Sequence, residues 1–179
     1  AICLHLLDTH AGAGLAPAPG TAARAHFYKW IAWLTNTLQA ALIIYFYPER
    51  WAGEPAAVAQ VKAHAEAKIG AMLDQLDAEL AARGPWLLGE RFSALDPYAF
   101  MLCRWTRGMQ RPARTLAHVG PFLQRMLARP AVQRVIAREG LPQPWVRIAL
   151  GVPSAAIRDP RAGTGCCLRD RGTRLRAPS

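Results

Sequence analysis

Between Pro55 and Arg83 the apolar residues Val58, Val61, Ala65, Ile69, Met72, Leu76 and Leu80 recur at three- and four-residue steps. That spacing stacks side chains on one face of an α-helix. Pro55 suits a first helical turn, where a missing N–H costs little, and Gly84-Pro85 supplies a stop. A second long helix is expected from Thr21, a candidate N-cap, to about Tyr47, where Pro48 ends it. Phe27, Trp30, Ile31, Trp33, Leu34, Leu38, Leu42, Ile43 and Phe46 make that segment apolar on more than one face. Such a helix is buried on two sides, against its own core and against a partner.

Ser93 stands where a further helix should begin, with Asp96 placed to reach back to the Ser93 N–H as a capping box. Phe92, just before the cap, is expected to close over the first turn as a hydrophobic staple, and Pro97 to weaken that turn slightly. Tyr98, Phe100, Met101, Leu102 and Trp105 make this helix apolar nearly all round, hence central. Two shorter helices are expected over Leu116 to Ala128 and Pro130 to Arg138, the latter stopped at Gly140. Ala1 to His10 reads as the end of an amphipathic helix, followed by a Gly/Ala/Pro linker over 11–20. No strand pattern occurs, so the fold class is all-α: a bundle of about five helices over 21–146. Residues 147–179 lose all periodicity and are expected to be a disordered tail.

Composition refines this picture little. The net charge of +10 invites a nucleic-acid reading. Half of it, however, sits in 147–179, where seven arginines face Asp159 and Asp170. The rest is spread without a stripe, which argues against nucleic acid. Cys3, Cys103, Cys166 and Cys167 form no C-x-x-C pair and no disulfide framework, which fits a reducing cytoplasm. No secretory signal opens the chain. Lys29, Asn36 and Gln39 break the longest apolar run, so no membrane span is expected.

Candidate chemistry is sparse. His5, His10, His26, His64 and His118 have no nucleophile, carboxylate or metal-ligand partner at a telling spacing, so neither a catalytic residue nor a metal site is assigned. Asn36 and Gln39 lie three residues apart on one expected helix face and either line a pocket or satisfy a buried contact. Tyr45, Tyr47, Arg50 and Trp51 surround Pro48 and are expected to form a packing corner.

Four segments carry a resemblance. Arg24 with Trp30-Ile31-Ala32-Trp33-Leu34, Trp86-Leu87-Leu88-Gly89 through Asp96, Arg129-Pro130-Ala131-Val132-Gln133 through Glu139-Gly140-Leu141, and Leu15-Ala16-Pro17 occur in this order. They are similar to the C-terminal helical domain and interdomain linker of bacterial glutathione S-transferases. The resemblance implies a parent activity of conjugating glutathione to hydrophobic electrophiles, and association as a homodimer through the 22–47 helix. It implies candidate substrate contacts at Trp33, Asn36, Gln39 and Ile43, with Phe92, Ser93 and Asp96 as a structural cap. In the beta class the first helix of this domain carries an Asn, a His and a Lys near glutathione; those positions fall at Ala32, Gln39 and Ala40, of which Gln39 alone keeps hydrogen-bonding capacity.

The family's glutathione site lies in a thioredoxin-like domain, and residues 1–10 look like the last helix of that domain. No residue here is therefore carried over as catalytic. The expectation is a truncated transferase lacking the glutathione-binding half. Two alternatives remain: a non-catalytic helical interaction module, and an anion-binding role for the arginine-rich tail.

Overall fold

Seven α-helices, two of them joined end to end, carry the fold of residues 1–141, which are the residues the computed structural model describes. The expectations for 142–179, including disorder over 147–179, lie outside the described residues, as do Cys166 and Cys167. Helix α1 spans Ile2–Thr9. The long helix begins as α2, Ala22–Trp33, with Thr21 Oγ1 accepting the Arg24 N–H at 3.2 Å, as its cap position predicts.

That helix is not uniform. Leu34–Leu38 forms one wide π turn, in which the Gln39 N–H bonds to the Leu34 carbonyl, before α3 continues over Gln39–Phe46. The segment Leu-Thr-Asn-Thr-Leu contains three residues that compete with the backbone for hydrogen bonds, and Thr35 Oγ1 donates to Ile31 O at 2.8 Å. Such turns often mark functional positions.

Helix α4 runs over Pro55–Arg83, the bounds its sequence predicts. Gly84 ends it without a left-handed conformation. Glycine is required there because a Cβ would sit 2.5 Å from the Leu80 carbonyl oxygen. Helix α5 covers Leu95–Trp105, α6 Val119–Leu127 and α7 Pro130–Glu139, with Gly140 at φ 57° closing α7. No strand occurs among the described residues; the 86–91 loop is pinned by two isolated bridges, Trp86 with Gly89 and Leu88 with Arg91.

The core runs between the long helix, α4, α5 and α6. Phe27, Trp30, Leu34, Leu38 and Leu42 meet Ile69, Leu73 and Leu76, with Leu95, Leu102 and Phe122 completing it. Cys103 belongs to this interior, and burial pushes its thiol up to about 12, so it behaves as a small apolar residue. Arg24, only 3% exposed, fastens α1 and the following segment to α2. Its Nη2 lies 2.6 Å from Asp8 Oδ1, and its Nη1 donates to Pro17 O at 2.9 Å.

Helix α6 starts three residues later than its apolar pattern suggests, at Val119 rather than Leu116. The reason is a cap supplied from another helix. Asp77 Oδ1, on α4, accepts the His118 and Val119 N–H groups at 2.8 Å each. These bonds satisfy two orphan donors at the start of α6, and the Gly120 N–H bonds to the Leu116 carbonyl at 3.0 Å.

Candidate functional site

The cap before α5 forms as a reciprocal box. Ser93 Oγ accepts the Leu95 N–H at 3.2 Å, and Asp96 Oδ2 accepts the Ser93 N–H at 2.7 Å. Asp96 does more than its spacing implies: Oδ1 also accepts the Leu87 N–H at 3.0 Å, tying the 86–91 loop to the helix. Burial raises the Asp96 pKa, while the Leu87 and Ser93 donors and the charge of Arg129 oppose that rise. Pro97 leaves the cap intact because the Ser93 carbonyl accepts from the Asp96 N–H instead, at 3.2 Å.

Phe92, the expected staple, is half-buried against the core. It faces Trp86 edge-on at 5.2 Å and lies under the Arg129 guanidinium, 3.6 Å from its ring centre. The aromatic ring thus joins the cap to the start of α7.

A different feature of α5 points outward. The Tyr98 hydroxyl donates to Gln39 Oε1. Seven residues further along each helix, Trp105 meets Phe46 with ring centres 6.2 Å apart at 82°. Two rungs with equal offsets mean that α3 and α5 run side by side in the same direction. Gln39, Ile43 and Phe46 recur at helical spacing on one edge; Tyr98, Met101 and Trp105 do so on the other. All six are half-buried or exposed, whereas Leu38, Leu42, Ala99 and Leu102 beneath them are fully buried. None of the six carries a charge. The result is an uncharged strip, half of it aromatic, with one polar pair at its start.

Of the four residues the sequence put forward as substrate contacts, Gln39 and Ile43 lie on this strip. Asn36 is exposed and Gln39 half-buried, with the wide turn at 34–38 between Trp33 and Gln39. Trp33 is half-buried and turns toward Trp30, ring centres 5.1 Å apart. Tyr98 and Trp105 were read only as core; the signal that could have singled them out was a tyrosine and a tryptophan seven apart on a helix that is apolar all round.

The aromatic turn around Pro48 is no packing corner for two of its members. Tyr47 is 43% and Trp51 52% exposed, with Arg50 stacked 4.4 Å from the Tyr47 ring centre. The histidines also hold a correction. His26 Nε2 lies 3.1 Å from Glu79 Oε1, and His118 Nδ1 lies 3.1 Å from Asp77 Oδ2. These carboxylate partners come from α4 and are invisible to local spacing. Among the described residues no three His, Cys, Asp or Glu side chains gather as a metal site would require. Nor is any described helix long and apolar enough to cross a membrane.

An all-helical bundle with this cap is similar to the C-terminal domain of glutathione S-transferases. The family model for the glutathione S-transferase C-terminal domain matches residues 56–138. The theta-class glutathione S-transferase of Xanthomonas axonopodis pv. citri is 30% identical, with a TM-score of 0.59, covering 74% of this chain and 70% of that one. Glutathione S-transferase GST-4.5 of Xanthomonas campestris pv. campestris is 29% identical over 141 residues, 79% of this chain and 69% of that protein. A glutathione transferase homologue from Sulfitobacter, solved with bound glutathione, is 28% identical with a TM-score of 0.68, covering 76% of this chain and 65% of that one. The chain belongs to the glutathione S-transferase family. It spans about two thirds of the length of these relatives.

Proposed function

We propose that these residues form the helical half of a glutathione transferase, and that the strip between α3 and α5 is the wall against which a hydrophobic electrophile rests. The observation that carries this reading is the pair of rungs, Tyr98 with Gln39 and Trp105 with Phe46. They fix an uncharged, aromatic and aliphatic surface half-open beside a buried core. Apolar surface with a few placed polar groups is the usual composition of a small-molecule site. The contribution of these residues is to desolvate and orient the electrophile for attack by a glutathione thiolate. Glutathione as the second substrate is supported by the Sulfitobacter relative that holds it.

On this reading the group that stabilises the thiolate lies outside residues 1–179, and those residues alone give negligible glutathione-dependent turnover of an aryl halide. Robust turnover would overturn that assignment. Direct binding tests the wall itself: calorimetry should detect a neutral aromatic ligand, and Trp105→Ala should weaken it about tenfold, the effect of losing about 1.5 kcal/mol of apolar contact. Equal binding by wild type and variant would contradict the reading.

A second reading, self-association through the long helix, rests on a separate observation. Ala41 and Ile44 of α3 face Val61 and Ala65 of α4 across an open groove of about 330 Å³, rimmed by Gln60, His64 and Lys68. Small apolar residues at such a groove suit close approach of a second copy. Light scattering should give the mass of a dimer, and a strict monomer would rule it out.

A further inference from the structure

We propose that the open groove between α6 and α7 is the docking site of the chain's own next segment, Pro142–Val146, with the Trp145 indole seated at its far end. The inference is independent of the wall reading above.

The end of α7 directs the chain into that groove. Gly140 is left-handed at φ 57°, its N–H bonds to Ala137 O at 3.3 Å, and the Leu141 N–H bonds to Ile136 O at 3.2 Å. This pair of bonds is a Schellman motif, which sets the residue after the glycine against the one five positions earlier. Leu141 and Ile136 accordingly line the same groove. Pro142 follows at once, so the helix does not resume, and Leu141 is steered to extended backbone. The chain therefore leaves α7 within the groove.

The groove and the segment match in character and length. Its volume is about 890 Å³, and Leu127 of α6 with Ile136 and Ala137 of α7 supply its apolar surface. Ile136 is buried, but Leu127 and Leu141 are half-buried and Ala137 is exposed, which leaves apolar area for an occupant to cover. Gln133 Nε2 donates to Leu127 O at 3.2 Å and closes the far end. Gln133 and Gly140 are seven residues apart, about 10 Å along the helix axis. Pro142-Gln143-Pro144 favours the polyproline conformation, which advances about 3.1 Å per residue. The three steps from Pro142 to Trp145 thus cover about 9 Å and bring the indole to the Gln133 end.

Charge and attachment favour this occupant over a second copy. Pro142–Val146 is uncharged. A second α7 would instead bring its Arg134 and Arg138, both exposed, against those of the first. Attachment at Leu141 also gives the segment an effective concentration of about millimolar or above, without the cost of bringing two molecules together.

The test uses the full chain with ¹³C-labelled Leu and Ile methyl groups. Nuclear Overhauser contacts should run from the Trp145 ring protons, assigned by their loss in Trp145→Ala, to the methyls of Leu127 and Ile136. Trp145→Ala should also speed amide exchange at Ile136 and Ala137 by about fivefold to tenfold, the effect of uncovering one part-buried large apolar side chain. Missing contacts in the wild type, or exchange at α7 that Trp145→Ala leaves unaltered, would overturn the inference. Contacts between labelled and unlabelled molecules in a mixed sample would overturn it as well, by giving the groove to a second copy.

Discussion

The Tyr98 hydroxyl reaches Gln39 Oε1 across 59 positions of sequence, and this bond fixes the register of α5 against α3 at the first turn after the π turn. A part-buried neutral hydrogen bond of this kind contributes about 0.5–1.5 kcal/mol. Tyr98→Phe should lower the unfolding free energy by that amount in urea titration, with an unchanged m-value. A larger loss together with a changed m-value would mean that the hydroxyl holds more of the bundle than the one rung.

The cap before α5 should be asymmetric. Ser93→Ala removes one acceptor for the Leu95 N–H and should cost about 0.5–2 kcal/mol. Asp96→Ala strands two buried donors, those of Leu87 and Ser93, and should cost about 2–4 kcal/mol. Equal losses for the two variants, read by chemical denaturation, would contradict the double role of Asp96.

Asp77 gives a pH dependence with a definite sign. Burial opposes its ionisation, but the Val119 and His118 backbone donors and the His118 ring outweigh burial and hold its pKa below the ordinary 3.8. A carboxylate depressed in the fold contributes stability that is complete above that ordinary value and is lost as pH falls through the folded one. Asp77→Asn keeps an oxygen acceptor and removes only the charge, so it should cost about 0.3–1 kcal/mol at neutral pH. The gap between variant and wild type should then close as pH falls below the ordinary 3.8. A gap that stays constant over that range would show that the charge at the α6 N-terminus is immaterial.

Arg24 and Asp8 form a pair of unequal burial, with side chains 4% and 54% exposed. Removing Asp8 leaves a buried guanidinium held by Pro17 O and the Tyr28 ring. Removing Arg24 leaves a carboxylate that water can solvate. Asp8→Ala should therefore be costly, up to about 3 kcal/mol, the range for stranding a buried charge. Arg24→Met keeps much of the packing and should cost less. Hydrogen exchange would read the same latch locally: both variants should speed exchange over Ile2–Thr9, and unaltered protection there would contradict it.

The parts of the fold legible in the sequence are those governed by neighbours in the chain. Thr21, Pro55, Ser93, Pro130 and Gly140 each act within four residues, and the helix boundaries they imply are observed or lie within two residues. What escaped was set from a distance. Val119 begins α6 because Asp77, on another helix, caps it. The wide turn over Leu34–Leu38, beside the Thr35 hydroxyl bond to Ile31 O, is something a fixed period of 3.6 does not anticipate. Half of the candidate site was legible for the same reason. Gln39 and Ile43 follow from helical spacing and family resemblance, whereas Tyr98 and Trp105 join them only when α5 is laid beside α3.

The central claim is that an aromatic ligand rests between α3 and α5. Backbone amide ¹H–¹⁵N spectra of the full chain, titrated with a neutral aromatic ligand, test it directly. The claim predicts that the largest shifts cluster at Gln39–Phe46 and Tyr98–Trp105. Shifts centred instead on the α3–α4 groove at Ala41, Val61 and Ala65, or no shift at saturating ligand, would contradict it.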